Sequence, residues 1–106
     1  MENNYKNSKV DLTSTSITTL YTCPASTTAI MKSILVSDDS GSGDTITLTI
    51  TSGSDVFSMY KVKAVGANGT VELLTAPLVV QASEILKVTA ATANRLHVVA
   101  SYLEIT

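Results

Sequence analysis

Between Thr45 and Thr51 every second residue is an isoleucine or leucine and every other one a threonine: Ile46, Leu48 and Ile50 alternate with Thr45, Thr47, Thr49 and Thr51. A period of two puts all the apolar side chains on one face and all the hydroxyls on the other, as a half-buried β-strand requires and a helix cannot provide. Upstream, Ala29 to Val36 is denser in apolar residues, with Lys32 interrupting, and suits a strand nearer the middle of a sheet. Between the two runs lies Ser37-Asp38-Asp39-Ser40-Gly41-Ser42-Gly43-Asp44, almost wholly turn formers. The stretch from Thr28 to Thr51 therefore reads as a β-hairpin around which the remaining chain is laid.

The rest of the sequence repeats this grammar at short intervals. Strands are expected around Val10 to Thr13, Ile17 to Thr22, Val56 to Val62, Thr70 to Leu74, Leu78 to Val80, Ile85 to Ala90 and Arg95 to Ile105. Pro24 closes one strand, Pro77 belongs at a sheet edge or corner, and Asn68-Gly69 has the positive-φ tolerance of a tight turn. In the final run Leu96, Val98 and Ala100 share one phase and Leu103 and Ile105 the other, which predicts a bulge near Ala100 to Tyr102. The expected fold is all-β, an antiparallel β-sandwich or jelly roll of about eight short strands, with a small barrel as the alternative.

A chain of 106 residues is one domain, large enough to remove roughly two-thirds of its unfolded surface from water. The expected division is a flexible polar arm over residues 1–9 and a single β-sandwich over 10–106. Charged residues make up 15% of the chain, against about 25% in ordinary domains, and serine and threonine fill the gap. Hydroxyl-rich faces are cheaper to desolvate than charged ones, which suits packing against neighbours; threonine also favours strands for steric reasons alone. The net charge of −2, with seven scattered lysines and arginines, gives no footprint for nucleic acid. No apolar run approaches the length of a membrane-spanning helix, and no signal-peptide core is present. One cysteine, Cys23, rules out an intrachain disulfide and fits folding in a reducing cytosol.

Catalytic chemistry has little to work with. His97 lies out of phase with Leu96 and Val98 and belongs on a polar face, and Cys23 reads as a small buried hydrophobe and not a nucleophile. Asp38, Asp39 and Asp44 share one loop, but their spacing is not that of an EF-hand, and Gly41-Ser42-Gly43 lacks the residues of a phosphate loop. Asn68-Gly69-Thr70 matches a glycosylation triplet and is read as a turn. No cofactor or metal is expected, and the enzyme reading is set aside because the groups it requires are missing.

Thr19 to Ala25 followed by Thr28 to Ile34, together with Leu78-Val79-Val80, Glu84 to Val88 and Asn94 to Ile105, resembles small β-sandwich virion proteins of tailed bacteriophages, notably those of marine and cyanobacterial hosts. The resemblance implies a non-enzymatic virion protein, assembled in the host cytoplasm, and in particular a capsid decoration or cement protein bridging major capsid protein subunits as a homo-oligomer, commonly a trimer. A tail, neck, baseplate or fibre component presenting loops to a host glycan is the alternative. The expected partner interface comprises Tyr5, Lys6 and Val10 from the arm, with Tyr60 and Tyr102 as aromatic anchors, since tyrosine is enriched in contact patches. Removing residues 1–9 is then expected to weaken particle binding and leave the fold intact.

Overall fold

The computed structural model describes residues 2–106. Nine strands make up its regular structure: β1 (Asn3–Asp11), β2 (Thr18–Thr22), β3 (Thr28–Asp38), β4 (Asp44–Ser52), β5 (Asp55–Val65), β6 (Thr70–Glu72), β7 (Leu78–Val80), β8 (Ile85–Ala90) and β9 (Leu96–Ile105). They form two antiparallel sheets face to face. A five-stranded sheet runs β1-β9-β3-β6, with β7 also on β3, and a four-stranded sheet runs β2-β8-β4-β5. The β-sandwich expected from the strand spacing is the observed fold.

The alternation in β4 sets its half of the core. Ile46 and Leu48 are fully buried, as are Leu86 and Val88 beside them on β8. From the facing sheet come Met31, Ile34 and Val36 of β3 and Leu96, Val98 and Ala100 of β9. Each large aliphatic side chain removed from water contributes about 1.5–3 kcal/mol against chain entropy.

The Thr28–Thr51 stretch is not a hairpin. β3 and β4 lie in opposite sheets, and the loop between them is a corner of the sandwich. β3 has no edge to offer β4, because β9 pairs along one side and β6 and β7 divide the other. The Gly66–Gly69 turn likewise joins β5 to β6 across the sheets, with Asn68 at φ 55. The one tight hairpin links β4 to β5 through Gly53 and Ser54: Ser52 opposes Asp55, and Gly53 has φ 63, as the first central residue of a type II′ turn requires. Only the β4–β5 and β6–β7 connections stay within one sheet.

Two further expectations are corrected. Residues 3–9 of the expected arm belong to β1, which pairs with β9 in unbroken register from Asn3↔Ile105 to Asp11↔His97; Met1 lies outside the described residues. A strand that is mostly exposed and held by backbone bonds, with only Ser8 and Val10 half-buried, leaves no hydrophobic signature, which is why it reads as an arm. The phase of β9 does not change: Leu96, Val98, Ala100, Tyr102 and Glu104 all point inward, and Leu103 and Ile105 lie on the outer face. The bulge falls on β3 instead, between Met31 and Ser33. There Glu72 reaches over from β6, accepting from the Ile34 and Leu74 amides at 2.7 and 3.2 Å and from the Ser33 hydroxyl.

Candidate functional site

Cross-strand register on the outer face of the five-stranded sheet aligns four apolar side chains in a row. Tyr5 opposes Leu103, Leu103 opposes Ile30, and Ile30 opposes Val79, spanning β1, β9, β3 and β7. Tyr5 is 78% exposed and Val79 50%. Leu35, 41% exposed, opposes Val99 in a second row, which ends at Lys9 on β1. The outer face of the four-stranded sheet differs: Thr45, Thr47 and Thr49 of β4 lie beside Thr89 and Lys87 of β8, a hydroxyl-rich surface as the alternation predicted, whereas Thr51 departs from it and is buried.

Behind Tyr5, on the inward side of the same sheet, a polar cluster closes the end of the sandwich. Glu104 is 5% exposed and carries two partners: the Lys6 ammonium at 2.8 Å and the Tyr21 hydroxyl, which donates across the sheets at 2.5 Å. These bonds hold the Glu104 carboxyl below its usual range, the Lys6 bond foremost, and Glu104 in turn raises the Lys6 pKa. Burial, reinforced by the Glu104 bond, pushes the Tyr21 phenol well above its ordinary value. Tyr21 and Tyr102 pack with ring centroids 4.4 Å apart at 51°, and the Tyr102 hydroxyl lies 3.1 Å from Ser8 Oγ.

The five expected interface residues therefore divide. Tyr5 is open to solvent, Lys6 is half exposed and tied to Glu104, Val10 packs partly against the core, and Tyr102 is buried. Tyr60 lies on β5 in the other sheet, opposite Leu48, and is also partly buried against the core. Lys6 and Tyr102 are neighbours across β1 and β9. Sequence reasoning missed Glu104 and Ser8. The signal was present: Glu104 keeps the inward phase of Leu96 to Tyr102, so the strand's own period buries it and demands a partner.

At the opposite end of β9, Asp38 organises the corner loop. Its carboxylate is buried and accepts from the Ser40 amide at 3.0 Å, the Ser40 hydroxyl at 2.6 Å, the Gly43 amide at 2.8 Å and the Asn68 amide at 3.1 Å. The Ser40 bonds lead in holding its pKa far below the carboxylate range. Asp44 accepts from the Thr92 amide at 2.9 Å and Arg95 donates to the Gly43 carbonyl at 3.0 Å, so Asp38, Asp44 and Arg95 are occupied in tying neighbouring loops together. His97 sits on the outer face 3.2 Å from Asp11, and Cys23 is buried with its thiol 3.3 Å from the Thr27 carbonyl. Burial pushes that thiol up and away from nucleophilic use.

No family model and no curated protein matches this chain. Its fold does match solved structures. Two of them are crystal structures of a pentameric capsid protein isolated from metagenomic phage sequences, one solved by iodide phasing; each is 21% identical to this chain and matches 93% of it at a TM-score of 0.50. The chain spans 59% and 64% of the length of those two proteins. The likeness is therefore one of fold, an all-β sandwich shared with the larger capsid chains.

Proposed function

We propose that this chain is a non-enzymatic structural protein of a bacteriophage particle, acting in or on the capsid shell. The observation that carries the reading is the likeness of nearly the whole sandwich to pentameric phage capsid proteins. The strand order adds to it. Sheets ordered β1-β9-β3-β6/β7 and β2-β8-β4-β5, with β6 and β7 sharing one position, support the jelly-roll form of the sandwich, an architecture common in viral capsids. A surface of threonine and serine with apolar rows and few charges suits a protein whose faces are desolvated by neighbours.

Within that reading, the specific role is decoration or cementing: binding the assembled shell and not its separate subunits, which stabilises the shell by mass action. Tyr5, exposed at the end of its apolar row, is the aromatic anchor for a shell partner, with Lys6 beside it on β1. The pentameric state of the similar capsid proteins supports a homo-oligomer and gives no support to the trimer that the resemblance implied.

Quantitative mass spectrometry of purified particles tests the assignment. A copy number within a few-fold of the major capsid protein is the expected result. A handful of copies per particle moves the protein to the tail, neck or fibres, and its absence from particles overturns the virion reading.

A further inference from the structure

The four sheet edges are not alike. β2 is five residues long and its register slips between Thr19 and Tyr21. β5 is bulged twice against β4 and carries Val62 at φ 54 between Lys61 and Lys63. β6 and β7 are three residues each, with Pro77 between them. Short strands, bulges, lysines and proline are the ordinary means of blunting an edge. β1 has only its lysines: it runs nine residues in unbroken register on β9, and among the described strands it pairs with no other.

The hydrogen-bond phase of β1 shows which groups its free edge presents. Glu2 and Thr106 exchange both backbone bonds, at 3.3 and 3.0 Å, and Leu12 donates to the Leu96 carbonyl at 3.0 Å. In an antiparallel ladder such exchanging residues alternate with residues that point away. Asn4, Lys6, Ser8 and Val10 therefore face β9, and Asn3, Tyr5, Asn7 and Lys9 direct their amides and carbonyls to the open side. Thr13 takes the Asp11 carbonyl at 2.9 Å and closes the row.

We propose that this edge pairs with the β1 edge of a second copy of the chain, antiparallel and centred on Asn7, joining two five-stranded sheets into one continuous sheet. The occupant is read from self-complementarity. With Asn7 opposite Asn7, Tyr5 meets Lys9 of the second copy, Lys6 meets Ser8, and Asn3 meets Asp11. No like charges oppose one another, and a lysine stem flanks the Tyr5 ring. Centring one residue earlier sets Lys6 against Lys6, and centring one later takes Asn3 out of the ladder and leaves Tyr5 against Asp11. The contact is isologous, as a two-fold interface requires, and it stands without the virion reading.

The full-length chain is tested by light scattering over a concentration series, with Asn7→Pro and Asn7→Cys as variants. Asn7→Pro deletes an outward amide and no bond to β9, whereas Ser8→Pro deletes a bond to β9 and serves as the folding control. Cysteines at the centre of the pair lie about 5.5 Å apart between α-carbons, within disulfide range, and the buried Cys23 makes the wild type a suitable oxidation control. The expected results are a species of twice the 11.1 kDa chain mass, an apparent dissociation constant at least about tenfold weaker in Asn7→Pro, and a covalent dimer of Asn7→Cys on mild oxidation. Concentration-dependent protection of the Tyr5, Asn7 and Lys9 amides in wild-type hydrogen exchange is expected as well, and decides the matter if Asn7→Pro does not fold. A wild type that stays monomeric into the hundreds of micromolar overturns the proposal. So does an oligomer indifferent to Asn7→Pro whose Asn7→Cys form does not crosslink.

Discussion

Tyr21 and Glu104 face each other from opposite sheets, and the phenol donates to the carboxylate at 2.5 Å. The bond joins the two halves of the sandwich through a group that would otherwise be a buried charge with only Lys6 to answer it. Tyr21→Phe removes the donor and keeps the ring, so urea unfolding should show a loss of about 1.5–3 kcal/mol, the range for hydrogen bonds to charged groups. Tyr102→Phe removes a neutral bond to the part-buried Ser8 and should lose only about 0.5–1.5 kcal/mol.

Acid should weaken the fold through Glu104 and Asp38. Both carboxyls have folded-state pKa values below their unfolded ones, Glu104 through Lys6 and Tyr21 and Asp38 through Ser40 and the loop amides. Their stabilisation is present in full above the ordinary carboxylate range of about pH 4–4.5 and is lost as pH falls through the depressed values. Urea midpoints measured from pH 7 to pH 3 should hold down to about pH 5 and then decline. Asp38→Asn should lower the midpoint at pH 7, since its amide turns a donor toward the donating Gly43 or Asn68 amide, and should flatten the acid limb.

Val62 has φ 54, a left-handed conformation that a β-branched residue adopts only under strain, and its side chain is 61% exposed. Val62→Gly relieves about 1–3 kcal/mol of strain and costs about 0.5–1 kcal/mol of chain entropy. The variant should be more stable by roughly 1 kcal/mol in chemical denaturation. An unchanged or lower midpoint would show that the surrounding ladder absorbs the strain.

The two faces of β4 should respond very differently. Leu48→Ala opens a cavity at a fully buried position and should lose about 2–5 kcal/mol. Thr49→Ala, next door on the hydroxyl face, should stay within about 0.5 kcal/mol of wild type. Thermal melts of the pair measure the sandwich directly.

What the sequence made legible follows from where the information is local. The period of β4 placed Ile46 and Leu48 in the core, Asn68-Gly69 marked a real reversal, and Pro77 marked the break between β6 and β7 at the sheet edge. A reversal, however, does not say whether its two limbs share a sheet. That depends on β9, far along the chain, which occupies the edge of β3 that a hairpin would have used. The same strand explains the misplaced arm and bulge: β1 is a strand because β9 is beside it, and the outward Leu103 and Ile105 look like core residues until β9 is seen to keep one phase throughout. Of the expected interface residues, exposure separates Tyr5 from Tyr102, two tyrosines that composition treats alike. Truncating residues 1–9 now reads differently as well, since it strips β9 of a partner and Glu104 of Lys6.

β9 lies between β1 and β3 and is the last of the nine described strands. During synthesis the five-stranded sheet therefore lacks its central member until residues 96–105 leave the ribosome, and β1, made first, has nothing to pair with in the meantime. Pairing β1 with β9 closes a loop that contains the seven strands between them, so it is slow relative to local turn formation. For that interval the apolar run of β3 stands without the strand that pairs along its full length, and the scarcity of charge that suits the finished surface gives the nascent chain little protection against association.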